Sequence, residues 1–104
     1  MGVYHIVLFR LKPNYEKSLL DHWKNQVHGL VGVVPGLKHV DVGAPLPATA
    51  EKAKGFNVSL VAVLEKPEDA LIYAEHPEHE RIIKECRPRL FDEVLICDME
   101  FQQR

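Results

Sequence analysis

Residues 73–80 read YAEHPEHE and contain a tyrosine and two histidines at a spacing that allows acid–base chemistry. Pro77 suits the first turn of a helix, because its missing N–H is not needed there, so His76 is predicted to be the cap. His79 then lies in the first turn, where the helix dipole disfavours imidazolium, and burial would act in the same direction. A neutral imidazole is what a general base needs at neutral pH. Tyr73 could then donate a hydrogen bond to the enolate oxygen that forms when a proton leaves the carbon next to a carbonyl.

The same residues also allow a purely structural interpretation. His79 could hold its helix against the last strand, and Tyr73 could pack in the core with a partner for its hydroxyl. Three other histidines have no predicted catalytic role. His22 and His28 fall on or near a long helix and are predicted to face solvent, and no role is predicted for His39.

The elements that must position these residues follow from the periodicity of the apolar residues. Alternation and β-branched content predict four strands, at residues 3–11, 37–43, 56–64 and 90–101. A long amphipathic helix is predicted to begin at a cap on Asn14 and to end at Val34–Gly36. Its apolar positions are Tyr15, Leu19, Trp23, Val27, Leu30 and Val34.

Two shorter helices are predicted after the third strand, beginning at Pro67 and Pro77. The second is expected to bury Ile82, Ile83 and Cys86 and to end at Pro88. Residues 44–55 form a loop with room for one short turn of helix. This order predicts an α+β fold, a ferredoxin-like split βαβ unit with a four-stranded antiparallel sheet.

The sheet is predicted to need a partner. Its first, third and fourth strands are apolar on both faces, and the helices can cover only one face. We expect a symmetric homodimer in which two sheets pack face to face and close a barrel between the subunits. The alternative is a monomer with an exposed apolar groove.

Composition narrows the function classes. The 104 residues are expected to form a single domain over 1–104. The net charge is −2 with scattered basic residues, which argues against nucleic acid, and no apolar run reaches the roughly 20 residues of a membrane span. The N-terminus enters a strand without the layout of a signal peptide, so we expect a cytoplasmic protein. Cys86 and Cys97 are predicted to be buried, reduced thiols.

Four segments carry a family resemblance: HIVLFRLKP, VVPGLKHVDVG, GFNVSLVAVLEKPEDALIYAEHPEHE and VLICDMEF. They resemble the stress-responsive dimeric α/β barrel (Dabb) family over nearly the whole chain, and Tyr-x-x-His-Pro-x-His is the most specific part. The resemblance implies the ferredoxin-like fold and the dimer. The family includes stress-associated plant proteins without an established reaction, and olivetolic acid cyclase, a cofactor-free polyketide cyclase that performs an intramolecular aldol condensation.

The resemblance also implies roles for single residues. The cyclase's catalytic histidine, its partner tyrosine, its first-strand histidine and the aspartate that hydrogen-bonds the catalytic histidine match His79, Tyr73, His5 and Asp98. Two pocket positions differ, because Val27 stands where the cyclase has a tyrosine, and Asn57 or a neighbour stands where it has a histidine. The polarity of the substrate pocket is therefore expected to differ.

The implied function is a cofactor-free polyketide cyclase or lyase that uses His79 as base on a small carbonyl substrate. The predicted pocket residues are Val7, Phe9, Val27 and Leu30. An iron site built from His5, His79 and Asp98 is an alternative that the metal-free relatives disfavour, so no cofactor or metal is expected.

The alternative from another class is a non-catalytic stress-responsive oligomer or a small-ligand-binding protein. A cavity of a few hundred cubic ångströms that reaches Tyr73 and His79 would favour the enzyme.

Overall fold

The computed structural model of the protein describes residues 1–102. Along the chain the elements are β1 (Gly2–Leu11), α1 (Lys17–His28), β2 (Leu37–Gly43), a 3-10 helix (Ala50–Ala53), β3 (Val58–Leu64), α2 (Asp69–Glu75), α3 (Pro77–Leu90) and β4 (Phe91–Phe101). All strand pairs are antiparallel and the sheet order is β2-β3-β1-β4. The fold is the predicted α+β, ferredoxin-like fold. The loop after β2 contains the predicted short helical turn.

The two faces of the sheet differ in what covers them. Alternation along β1 turns Val3, His5, Val7 and Phe9 towards the helices, and all four are buried. Phe9, Trp23 of α1 and Phe91 form an aromatic cluster with ring centroids 4.3–5.1 Å apart.

The opposite side of the sheet, which we call the open face, has no helix over it and is mostly apolar. On β1, β3 and β4 the residues of the open face are Tyr4, Ile6, Leu8, Ser59, Val61, Val63, Leu95, Cys97 and Met99. Leu95 and Met99 are 52% and 49% exposed in the single chain. Cys97 was expected to be buried and is exposed, because the register sets it opposite Ile6 on this face. Cys86 is a buried free thiol, as predicted.

The long first helix is shorter than its apolar pattern predicted. Asn14 and Tyr15 precede the helix, the cap position is Glu16 without a side-chain hydrogen bond, and regular helix ends at His28. Turns continue from Gly29, so that Leu30 and Val34 are still buried although they are no longer helical. A sequence of successive turns preserves roughly the same apolar face, which is why periodicity alone overestimates the helix.

The prediction that Pro88 ends the last helix was wrong. The helix α3 continues through Pro88 to Leu90. The N–H of Phe91, the residue after the helix, donates to the Arg87 carbonyl. Proline lacks the N–H that would donate to the Lys84 carbonyl, so this position costs the helix one hydrogen bond. Complete burial of Leu90 holds the turn in place. Within residues 1–102 no helix is long and apolar enough to cross a membrane.

Candidate active site

A cavity of about 260 Å³ lies between the covered face of the sheet and the helices. All four predicted site residues line it: His5, Tyr73, His79 and Asp98. Of the predicted pocket residues, Val7, Phe9 and Val27 line it as well. Leu30 does not line it, because Leu30 follows the end of α1 and is buried in the core. The remaining lining is mostly aliphatic, so a few polar groups converge in an apolar cavity.

The junction between α2 and α3 positions Tyr73 and His79. His76 is extended, as expected before proline, and ends α2. Its Nδ1 accepts from the Glu78 N–H at 3.1 Å, and Pro77 is the first residue of α3. His76 is therefore the predicted cap, and His79 follows in the first turn. The rings of Tyr73 and His79 lie 4.3 Å apart across the junction.

The tautomer of His79 follows from its backbone partner. His79 Nδ1 lies 3.3 Å from the Ala74 carbonyl oxygen, which can only accept a hydrogen bond. The hydrogen is therefore on Nδ1, and Nε2 carries the lone pair. Burial lowers the pKa of His79 below 6.5; the Ala74 carbonyl opposes this, and the charges of His5 and Arg87 add to it. The ring is thus neutral and oriented near neutral pH.

Tyr73 is a buried phenol at the wall of the cavity. Only 1% of the residue is exposed, and burial raises its pKa to about 12, partly opposed by the charge of Arg87. Within residues 1–102 the Tyr73 hydroxyl has no hydrogen bond to the protein. Every fully buried side-chain oxygen in those residues does have a partner, so this hydroxyl is not fully buried. The hydroxyl is therefore open to the cavity. It remains protonated over the whole physiological range and can donate to an oxygen bound there.

Asp98 was predicted to hydrogen-bond His79, but its partner in the structure is His5. His5 Nδ1 and Asp98 Oδ1 are 2.5 Å apart, and the carboxylate accepts from the ring N–H. The cause is strand register: His5 and Asp98 are direct partners on β1 and β4, and directly opposite side chains on one face are close neighbours. The His5 ring lies 5.0 Å from that of Tyr73, so Tyr73 is a close neighbour of both histidines.

The two positions where the chain differs from the cyclase, Val27 and Asn57, lie in different parts of the structure. Val27 lines the cavity and makes that wall apolar. Asn57 lies away from the cavity, and its side-chain oxygen accepts from the Leu11 N–H at 2.9 Å, which joins the end of β1 to the start of β3.

The predicted alternative of an iron site also fails on geometry. Within residues 1–102 the one group of three metal-ligating side chains within reach of a single ion is His22, Glu85 and Cys86. It lies outside the cavity, and burial raises the pKa of the Cys86 thiol, which disfavours thiolate.

Arg87 is a cavity residue that sequence reasoning missed. It lies four and eight residues after Ile83 and His79, and all three line the cavity. Positions four apart share one helix face, so this stripe was available from the sequence once His79 was placed on a helix.

Comparisons with known proteins support this description of the chain. The family described as Stress responsive A/B Barrel Domain (Dabb) matches residues 3–101. A stress-response A/B barrel domain-containing protein of Arabidopsis thaliana is 29% identical over 94 residues, which are 90% of this chain and 35% of that protein. The chain therefore spans about a third of the length of this curated relative.

Two solved structures are similar over almost their whole length. Hydroxynitrile lyase from Passiflora edulis has a TM-score of 0.85 at 22% identity, covering 99% of this chain and 95% of that chain. A dimeric ferredoxin-like protein of unknown function from Thermobifida fusca has a TM-score of 0.79 at 23% identity, covering 97% and 92%. Such identities show the fold, and the match over residues 3–101 shows that the chain belongs to the Stress responsive A/B Barrel Domain family.

Proposed function

We propose that the protein is a cofactor-free lyase or polyketide cyclase-type enzyme that forms or breaks a carbon–carbon bond next to a carbonyl group. Its substrate is a small, largely apolar carbonyl compound bound in the cavity. The observation that carries the proposal is the convergence of a neutral, oriented His79 and a protonated Tyr73 on one apolar cavity of about 260 Å³. A base beside an oxygen-stabilising donor is the minimum that such chemistry requires.

In the proposed reaction, His79 Nε2 takes the proton from the carbon next to the substrate carbonyl. The Tyr73 hydroxyl donates to the carbonyl oxygen as negative charge develops there. In the condensation direction, the resulting carbanion attacks a second carbonyl carbon of the same substrate. The new alkoxide then receives the proton that His79 Nε2 took, which restores the neutral base, while His5, whose ring Asp98 fixes through Nδ1, makes a second polar contact with the substrate.

A hydroxynitrile substrate would use the same groups. His79 would take the proton of the hydroxyl, and the carbonyl would form as the bond to the nitrile carbon breaks. The leaving cyanide would then take this proton from His79 and depart as hydrogen cyanide, which restores the neutral base. The likeness of the fold to hydroxynitrile lyase from Passiflora edulis makes such compounds a reasonable part of a substrate panel. Because the two reaction types need the same base and oxygen contacts, the panel must contain both.

The test uses solvent-deuterium exchange into ketones, β-keto acids and β-keto esters, followed by NMR, together with cleavage of aromatic hydroxynitriles. Wild type is compared with His79→Ala and with His28→Ala, a matched control on an exposed histidine outside the cavity. We expect turnover by wild type and the control and its loss in His79→Ala. Equal activity of all three proteins would contradict the role of His79. Failure of wild type on the whole panel would favour the non-catalytic, ligand-binding alternative.

We further propose that two copies pair through the open face to form a homodimer. The support is the apolar character of that face, with Leu95 and Met99 about half exposed in the single chain. The similar structure from Thermobifida fusca is described as dimeric. Light scattering after size exclusion should give twice the mass of one chain, and the mass of a single chain would contradict this arrangement.

A further inference from the structure

The cavity contains an uncompensated positive charge at Arg87. Three other arginines within residues 1–102 have carboxylate partners, Arg10 with Glu93, Arg81 with Glu78 and Glu85, and Arg89 with Glu16. Arg87 is partly buried at the cavity wall and has no ion pair or side-chain hydrogen bond within those residues. A guanidinium remains charged in any protein environment, so this charge needs an anion or water.

The other charged side chain of the cavity wall does not supply that anion. Asp98 is the one carboxylate among the lining residues, and it is hydrogen-bonded by His5 at 2.5 Å. Burial lowers the pKa of Arg87, which reflects incomplete hydration of the guanidinium. The charge of Arg87 in turn lowers the pKa of both Tyr73 and His79, so it acts on the same space as the proposed catalytic groups.

We propose that Arg87 binds the carboxylate of the substrate, so that the enzyme acts on a small carbonyl-containing carboxylic acid. This deepens the proposed function and rests on it. The planar guanidinium matches a carboxylate through two parallel hydrogen bonds. Eight residues of helix separate Arg87 from His79 by about 12 Å along the axis, and the long side chain leans back towards His79. The carboxylate therefore lies at one end of the cavity and the reacting carbon at the other.

Arg87 is in the last turn of α3, where a cation also interacts favourably with the helix dipole. Arg89 is in the same turn and is exposed, with its guanidinium 3.0 Å from Glu16. The substitution Arg89→Gln therefore controls for the helix-end charge without altering the cavity. Arg87→Gln removes the charge that is proposed to bind the carboxylate and keeps a shorter, polar side chain.

The experiment measures binding by calorimetry, using phenylacetate and phenylacetamide, which match in shape and differ in charge, and phenyl phosphate. We expect wild type and Arg89→Gln to bind phenylacetate more tightly than the amide. In Arg87→Gln the affinity for phenylacetate should fall about ten- to a hundredfold, as for loss of a charged hydrogen bond, while that for the amide stays unchanged. In wild type, the NMR signal of the Arg87 side-chain N–H should shift when phenylacetate is added and not when phenylacetamide is added. This measurement tests the contact without any variant.

Three results would overturn the proposal: equal binding of phenylacetate and its amide by wild type, absence of binding by both, or tighter binding of phenyl phosphate than of phenylacetate. Repeating the titration with His79→Ala separates the two proposals. If that variant retains turnover and Arg87-dependent binding, the catalytic role of His79 fails while the carboxylate site stands. If turnover requires His79 but phenylacetate and phenylacetamide bind equally well, the catalytic role of His79 stands and the carboxylate site fails.

Discussion

Replacement of His79 by alanine separates chemistry from stability most clearly. The side chain makes one hydrogen bond, to the Ala74 carbonyl at 3.3 Å, and one ring contact, with Tyr73 at 4.3 Å. The bond is long and its carbonyl can be hydrated, so its loss costs at most about 1 kcal/mol, and the ring contact adds about 0.5–1.5 kcal/mol. A total of about 1–2 kcal/mol lowers the unfolding midpoint by roughly 4–16 °C in a domain of this size.

The expected effect on turnover is far larger. Removal of a general base lowers the rate about a hundred- to ten-thousandfold. A structural histidine could cost as much stability as a catalytic one, so the unfolding midpoint alone does not distinguish the two roles. Turnover must be measured well below the unfolding midpoint of the variant, where both proteins are folded.

Chemical rescue makes the test specific to the base. His79→Ala leaves a hole the size of an imidazole ring beside Tyr73, and the hole opens into the cavity. Imidazole added to the assay should restore part of the turnover in His79→Ala and leave wild type unaffected. Turnover of the variant close to the wild-type value without imidazole would refute the reasoning, and so would a loss that imidazole cannot repair in a folded protein.

Three further predictions follow from the same geometry. Tyr73→Phe should leave the fold intact, because only a hydroxyl without a protein partner is lost, but should lower turnover about a hundredfold or more in a steady-state assay. Because the pKa of His79 is lowered below 6.5 in the folded chain, the stability of wild type is complete above that pH and falls as the pH drops through it. Denaturant unfolding of His79→Ala should lack this decline, so that the difference between the two proteins shrinks in acid. Leu95→Glu sets a charge opposite Leu8 on the open face and should give monomers by light scattering; an intact dimer would contradict pairing through that face.

The sequence predicts the local parts of this molecule better than the parts that depend on register. His76, Pro77 and His79 could be assigned to a cap, a first residue and a first turn, because capping depends on neighbours in the chain. The partner of Asp98 depends instead on the alignment of β1 with β4. Alternation shows which face a residue occupies but not which residue is opposite, and so His5 was overlooked as the partner.

Arg87 was missed for a different reason. A charged residue near the end of an amphipathic helix usually faces water, and its neighbours Arg89 and Arg81 do have exposed ion pairs. The spacing from His79 places Arg87 on the same helix face, but the absence of a carboxylate partner within residues 1–102 depends on tertiary packing. An unpaired charge cannot be recognised from a sequence pattern, because the fold determines all its neighbours.

The two halves of the site therefore have separate structural origins, and this bears on how the proposed reaction can vary. Tyr73 and His79 are joined through a short junction in which His79 reaches back to the Ala74 carbonyl, so their relative position depends on few residues. His5 and Asp98 belong to neighbouring strands, and their position depends on the whole β1–β4 ladder. Substitutions on the aliphatic walls can change which molecule fits without disturbing either half, whereas a substitution at Arg87 would also remove a charge that lowers the pKa of Tyr73 and His79. Such an arrangement allows the reaction type to be kept while the substrate changes.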